Sequence, residues 1–267
     1  MKSKIQYKFG ASVISLMLLI TTGTSYLYSQ DSLGQRYEHK CKLKHELFAV
    51  TGVAIMNKLS IVSTGESLLH TRRTITPLYE LGYSITLDNS WGLKTGFGGT
   101  IVSYNEYTSF VVPAGNEYAG YDLDFNNYDY FIENYNIFLL FCKRINLQKK
   151  TSISIEAGAQ YNHIWDLYTM YSFELYNDDP NESTLFFWSI LDRDRSNLWF
   201  FSYRAAVSLN YNFSPKHAAK IGLGFNYTDE VVATGSYSFE NLPFESYGSL
   251  SIGMKFISIP IGYSYSF

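Results

Sequence analysis

The last eleven residues of the chain, Ile257 to Phe267, read ISIPIGYSYSF, and they constrain the fold more than any other stretch. Large side chains stand at every second position: Ile257, Ile259, Ile261, Tyr263, Tyr265 and Phe267. Small or polar residues lie between them: Ser258, Pro260, Gly262, Ser264 and Ser266. A period of two sends these sets to opposite faces of a β-strand. The run has the length of a tilted strand that crosses a bilayer, roughly 9–11 residues. Its aromatics gather at one end, where a membrane–water interface would lie, and a Phe closes it. A strand of a soluble sandwich shows the same alternation, so the rest of the chain must decide between the two.

The first thirty residues have the form of a secretory signal. Lys2, Lys4 and Lys8 precede an apolar run from Ala11 to Ile20 and a small, polar exit from Thr21 to Ser29. The run is too short for a transmembrane helix and suits a cleavable signal, with cleavage after Ser25 or Ser29. Cys41 lies in HKC, without the apolar residues of a lipobox. Removing residues 1–30 leaves 18 basic against 24 acidic residues, a net −6, and no basic tract suited to nucleic acid. Residues 31–44 read as a polar, periplasmic lead-in, and residues 45–267 as one domain of barrel size.

Aromatic residues make up 18 % of the chain while mean hydropathy is only −0.10. Alternating strands reconcile these values, because period two hides apolar character from window averages. Eight such strands follow in order. The first, about Glu46 to Asn57, sets Leu47, Ala49, Thr51, Val53 and Ile55 against Phe48, Val50, Gly52 and Ala54. The second runs from Ile75 to Asp88, and the third from Trp91 with small residues on one face. The fourth spans about Tyr130 to Cys142 and is apolar on both faces at its end, in IFLLFC. The fifth runs from Ile153 to Asn162, the sixth from Trp199 to Tyr211 and the seventh from Ala219 to Tyr227. Asp88-Asn89-Ser90, Lys143 to Lys150 and Asn212 to Lys216 read as tight turns. Residues 58–74, 105–128, 164–196 and 229–247 read as loops.

Connections thus alternate strictly between long and short. Outer-membrane barrels keep this asymmetry, with short periplasmic turns, long extracellular loops and both termini in the periplasm. The expected fold is all-β: an eight-stranded, antiparallel, transmembrane β-barrel with long extracellular loops. Before Ile257 the apolar parity switches to Leu250, Ile252, Met254 and Phe256, so either a β-bulge re-phases the strand or it leaves the bilayer there. Pro260 cannot donate to the ladder and needs local accommodation.

Five charged residues fall on inward faces: Glu80, Lys94, Glu156, Arg204 and Lys220. The interior of an eight-stranded barrel is just wide enough for side chains to fill. Isolated buried charges are costly, so these are expected to pair as a structural plug, with a narrow solute path as the alternative. Loop aromatics, among them Tyr104, Tyr107, Phe110, Tyr118, Tyr121, Tyr168, Tyr171, Phe173, Tyr176, Phe186, Phe187 and Trp188, suit either an exposed binding surface or hairpins that extend the barrel. Cys41 and Cys142 could pair in an oxidising periplasm or remain thiols. No spacing of Cys, His and Asp suggests a metal, and no Gly-rich phosphate loop occurs, so no cofactor is expected.

With Asn134-Tyr135-Asn136-Ile137-Phe138-Leu139-Leu140-Phe141, then KRINLQKK and SISIEAGAQY, the chain resembles the single-domain outer-membrane β-barrel family that includes the PorT-like proteins. The signal peptide and the Gly-rich, aromatic ending carry the same resemblance. Members show a Tyr-Leu-Glu-Ile-Pro-Leu-Leu-Leu-like fourth strand; here Asn136 replaces the Glu and Phe138 the Pro. The closing strand resembles the signal by which such barrels reach their insertion machinery, which implies a role for Tyr263, Tyr265 and Phe267. The resemblance implies residence in the bacterial outer membrane among its lipids, with secretion or gliding machinery as partner; no enzymatic activity is expected, because no recognisable catalytic motif occurs. Some eight-stranded barrels modify lipids instead, which needs a nucleophile or base at the membrane surface. His163 with Asp166, and His70 with Ser67, are the candidates for that alternative.

Overall fold

The computed structural model describes residues 43–87, 90–115, 117–164, 168–176, 183–192 and 199–267. The signal segment, most of the lead-in, Cys41 and Asp166 lie outside the described residues. Fourteen strands among the described residues form two sheets.

Eight of them close a barrel. These are β1 (Leu43–Met56), β4 (Ile75–Leu87), β5 (Trp91–Val111), β6 (Asp122–Asn146), β7 (Thr151–Ile164), β10 (Trp199–Asn212), β11 (His217–Tyr227) and β14 (Phe256–Ser266). Each pairs antiparallel with the next around the ring, and β14 returns to β1 from Met56↔Phe256 to Glu46↔Ser266. Closure leaves this sheet without an exposed edge. The alternation read from the sequence is the alternation of its walls. Ile257, Ile259, Ile261 and Tyr263 point outward, and Ser258, Pro260 and Ser266 are buried inward. Pro260 stands opposite Gly52 on β1, and on its other side the pairing of β14 with β11 skips from Ile221↔Ile261 to Gly224↔Ser258. The missing N–H therefore falls in a gap of the ladder, the position a proline needs in a strand.

Short links join β4 to β5, β6 to β7 and β10 to β11. In the last, the Ser214 hydroxyl accepts the amides of Lys216 and His217, both at 3.2 Å, and so closes the turn. Long links join the other four pairs, and here the expectation of loops is corrected. Residues 106–111 pair with 122–127, so β5 and β6 continue as a hairpin beyond the barrel, with only residues 112–121 outside a strand. The other three long links contain β2 (Ser60–Gly65), β3 (His70–Arg72), β8 (Tyr168–Tyr176), β9 (Ser183–Asp192), β12 (Val231–Phe239) and β13 (Ser246–Gly253). β3 joins the extended hairpin at β5. The other five form a second antiparallel sheet in the order β2-β13-β12-β9-β8, built from links far apart in the chain.

This second sheet caps one end of the barrel, and the main apolar core sits between cap and barrel. Ala54, Met56, Val102, Ile132, Ile164, Phe200 and Phe256 from the upper barrel strands meet Phe187, Leu191, Val232, Tyr237, Phe239, Leu250, Ile252 and Met254 from the cap. That contact explains the parity switch before Ile257: Leu250, Ile252 and Met254 belong to the cap, and β14 begins at Phe256. Two bulges shape the cap core. Phe186 is skipped between Phe173↔Phe187 and Glu174↔Leu185, and Val232 between Val231↔Gly253 and Ala233↔Ile252. A bulge lets consecutive residues both face inward, and Phe186, Phe187, Val232 and Ala233 are all fully buried.

Candidate functional site

Two places hold the chemistry: the barrel lumen and the cap. All five charged residues assigned inward from the sequence meet in the lumen. Arg204 on β10 reaches across to Glu80 on β4, with both side chains at most 2 % exposed. Lys94 on β5 and Lys220 on β11 converge from opposite walls on Glu156 of β7, donating to its two carboxylate oxygens at 3.2 and 2.5 Å. Burial in a low dielectric strengthens these contacts and makes any unpaired member costly.

The aromatic and apolar groups among them account for IFLLFC being apolar on both faces. Phe138 and Leu140 point inward while Ile137, Leu139 and Phe141 point outward. The ring of Phe48 lies 4.1 Å under the Lys94 ammonium and 6.2 Å from the Phe138 ring. Arg204 sits 5.7 Å over Phe138. These rings fit because Gly82 and Gly96 stand against them. A Cβ on Gly82 would come within 2.4 Å of the Phe48 ring, and one on Gly96 within 2.8 Å of the Phe138 ring. Towards the cap the filling turns to amides: Asn136 with Gln160, and Asn162 with Asn134 and Ser202. Above these the apolar core begins.

A second charged cluster, not assigned from the sequence, lies at the short-turn mouth. Arg144 clasps Glu46 with two hydrogen bonds of 3.1 and 2.9 Å, and Lys44 reaches the same carboxylate at 2.7 Å. Ser84 and Ser266 also donate to Glu46, each at 3.3 Å. The signal for this pair was present. Glu46 opposes the outward Leu47, and Arg144 keeps the inward parity of Phe138, Leu140 and Cys142. Reading Lys143 to Lys150 as one basic turn hid it, because β6 runs on to Asn146. Likewise Leu43 and Lys44, assigned to the lead-in, are the first residues of β1.

Cys142 is a free thiol beside this cluster. A cavity of about 40 Å³ lies there, lined by Glu46, Lys94, Arg144, Glu156 and Lys220.

The cap takes up many of the loop aromatics that could have formed an exposed surface, though Tyr121 remains exposed. Phe186 and Phe187 are fully buried, Tyr104 nearly so, and Phe110, Tyr171 and Phe173 pack against the same cores. Phe125 anchors them, with its ring 4.5 Å from Phe187 and 5.6 Å from Phe173. Burial raises the Tyr104 phenol above its ordinary range; it does the same for Tyr237, whose hydroxyl donates to Ser63 at 2.7 Å. For Tyr104, Phe110, Tyr171, Phe173, Phe186 and Phe187, hairpins packed beyond the barrel are the reading that fits.

The remaining candidates are aromatic in character. His163 stacks on Trp199 at 4.0 Å, and Trp199 stacks on Tyr161 at 5.2 Å, so His163 lies in an outward aromatic band. His70 packs on Tyr107 at 5.4 Å, and Ser67 lies 3.4 Å from the Ser63 hydroxyl. Asp166, the carboxylate read with His163, lies outside the described residues. At the other end Tyr263 and Phe267 project outward and Tyr265 is half-buried. Phe267 stacks on His45 at 6.0 Å and donates its amide to the His45 carbonyl at 3.1 Å. His45 in turn shares a 2.5 Å hydrogen bond with the Tyr83 hydroxyl. Between these two aromatic bands runs an outward belt of Leu81, Phe97, Leu139, Ile155, Val207, Leu223 and Ile261.

No family model matches the chain, and no curated protein is similar to it at a significant level. Solved barrels do align with it over most of its length. The outer membrane protein OprG from Pseudomonas aeruginosa is 11 % identical, with 83 % of this chain and 95 % of that one covered at a TM-score of 0.41. A major outer membrane protein from Thermus thermophilus is 10 % identical, covering 84 % and 99 % at 0.39. Neisserial surface protein A is 11 % identical, covering 84 % and 97 % at 0.36. By its own strand order and pairing, the chain is a closed eight-stranded antiparallel β-barrel.

Proposed function

We propose that this protein is an integral outer-membrane barrel with both termini periplasmic and the cap outside the cell. Its role is non-enzymatic: a surface structural or binding scaffold, or a PorT-like accessory to secretion or gliding machinery. Support for the membrane comes from the outward belt of apolar residues between two aromatic bands, the pattern lipid demands. Support for a scaffold comes from one observation above the others. The lumen is filled by ion pairs and aromatic rings, and its far end is closed by a continuous apolar core shared with the cap. A filled barrel under a packed cap presents mainly its outer surfaces to macromolecular partners.

The test is a crosslinked pull-down of a tagged copy from detergent-extracted outer membranes, read by mass spectrometry. Recovery of secretion or gliding components is the expected outcome for the accessory role, and recovery of the barrel alone would overturn it. Deletion of the whole chain is expected to leave the lipid A profile unchanged, and planar-bilayer recordings to show a flat trace. A changed lipid profile or stepwise currents would replace the scaffold with a lipid-modifying enzyme or a narrow channel.

A further inference from the structure

Among the described residues, the charges in the lumen do not balance. Lys44, Lys94, Arg144, Arg204 and Lys220 are five cations, and their carboxylate partners are three: Glu46, Glu80 and Glu156. Arg204 and Glu80 pair one to one deep in the barrel. The excess lies in the short-turn half, where Glu46 serves both Lys44 and Arg144, and Glu156 serves both Lys94 and Lys220. Lys44 reaches solvent at the rim with its side chain 26 % exposed, but Lys94 and Lys220 are only 6 % and 14 % exposed. A buried ammonium without a full counter-charge is expensive, so the site favours a bound negative charge.

The place for that charge is also present. The 40 Å³ cavity lies between the two clusters and is lined by the three cations Lys94, Lys220 and Arg144 and by the two carboxylates Glu46 and Glu156. Thr86 and Ser154 bring hydroxyl groups to the same wall, which can turn their protons toward an anion. One water needs roughly 10–15 Å³ on this measure, so the space suits one small ion and not a phosphorylated metabolite. We propose that the short-turn half of the lumen is a binding site for a single halide-sized anion, held by Lys94, Lys220 and Arg144 as the missing counter-charge of the plug. This goes beyond the scaffold reading and does not depend on it.

The experiment is diffraction from crystals of the detergent-solubilised protein grown with bromide in place of chloride, with data collected at the bromine absorption edge. The expected result is an anomalous peak in the cavity within about 3.5 Å of the Lys94 and Lys220 ammonium groups. The same peak is expected to vanish in Lys220→Met, which removes the excess charge while Lys94 keeps Glu156. Lys94→Met, judged for folding by far-UV circular dichroism, serves if the first variant does not assemble. In solution, ³⁵Cl line broadening by the wild type is expected to fall in whichever variant folds. Absence of a lumen peak, or a peak and broadening that persist in the variant, would overturn the site.

Discussion

The Arg204–Glu80 pair tests whether the lumen is a dry plug. Both side chains are almost wholly buried, and outside the bond from Arg204 Nη1 to Glu80 Oε1 the atoms Glu80 Oε2 and Arg204 Nε have no hydrogen-bond partner among the described residues. Replacing Arg204 by Met leaves the Glu80 carboxylate, buried beside Gly98, with only the more distant Lys94 and Lys220 for compensation. Breaking a buried pair in this way costs about 3–5 kcal/mol, whereas replacing both partners with apolar groups of similar volume is often close to neutral. Arg204→Met and Glu80→Leu should therefore each lower stability by about 3–5 kcal/mol, and the double variant by about 1 kcal/mol or less. The coupling so defined is large because each single change strands the opposite charge. Urea unfolding of the barrel in detergent micelles, followed by tryptophan fluorescence, measures all four corners of the cycle. Single variants that cost under about 1 kcal/mol would mean water screens the pair as it does on a surface, and would refute a dry lumen. Additive losses would refute the pairing itself.

Three further outcomes follow from the geometry. Leu223→Arg places a charge in the middle of the outward belt, opposite Val207, and should destabilise the lipid-embedded barrel by about 2–4 kcal/mol; little effect on folding into vesicles would argue against a lipid-facing wall. Phe187→Ala empties the centre of the cap core at a cost of about 3–5 kcal/mol, and hydrogen exchange should rise in β9 and β12 while β1 and β14 stay protected. Equal loss of protection in the barrel would show that cap and barrel unfold as one unit. Gly52→Val should block closure, because a Cβ there would meet the Ile259 carbonyl at 2.3 Å and the Pro260 Cα at 3.0 Å. The readout is the fraction of chain reaching the folded form on refolding into micelles, and wild-type yield would contradict the tight β1–β14 approach.

What the sequence determined by itself is the barrel wall. Strand alternation is local: each residue's face follows from its neighbour's, so Ile257 to Phe267, Trp199 to Tyr211 and Ala219 to Tyr227 announce their lipid and lumen sides without reference to anything distant. Inward charges inherit the same logic, which is why Glu80, Lys94, Glu156, Arg204 and Lys220 were legible while Arg144, hidden in an apparent turn, was not. The tertiary structure alone decided the cap. Its strands come from three separate links and pair β2 with β13 and β12 with β9, contacts that no local period encodes. Bulges at Phe186 and Val232 also break the alternation where it would have signalled a strand. The counter-charges belong to the same class. Glu46 and Arg144 lie 98 residues apart and Glu80 and Arg204 lie 124 apart. They meet because barrel closure forces every inward side chain into one narrow, water-poor space, where a charge must find a partner.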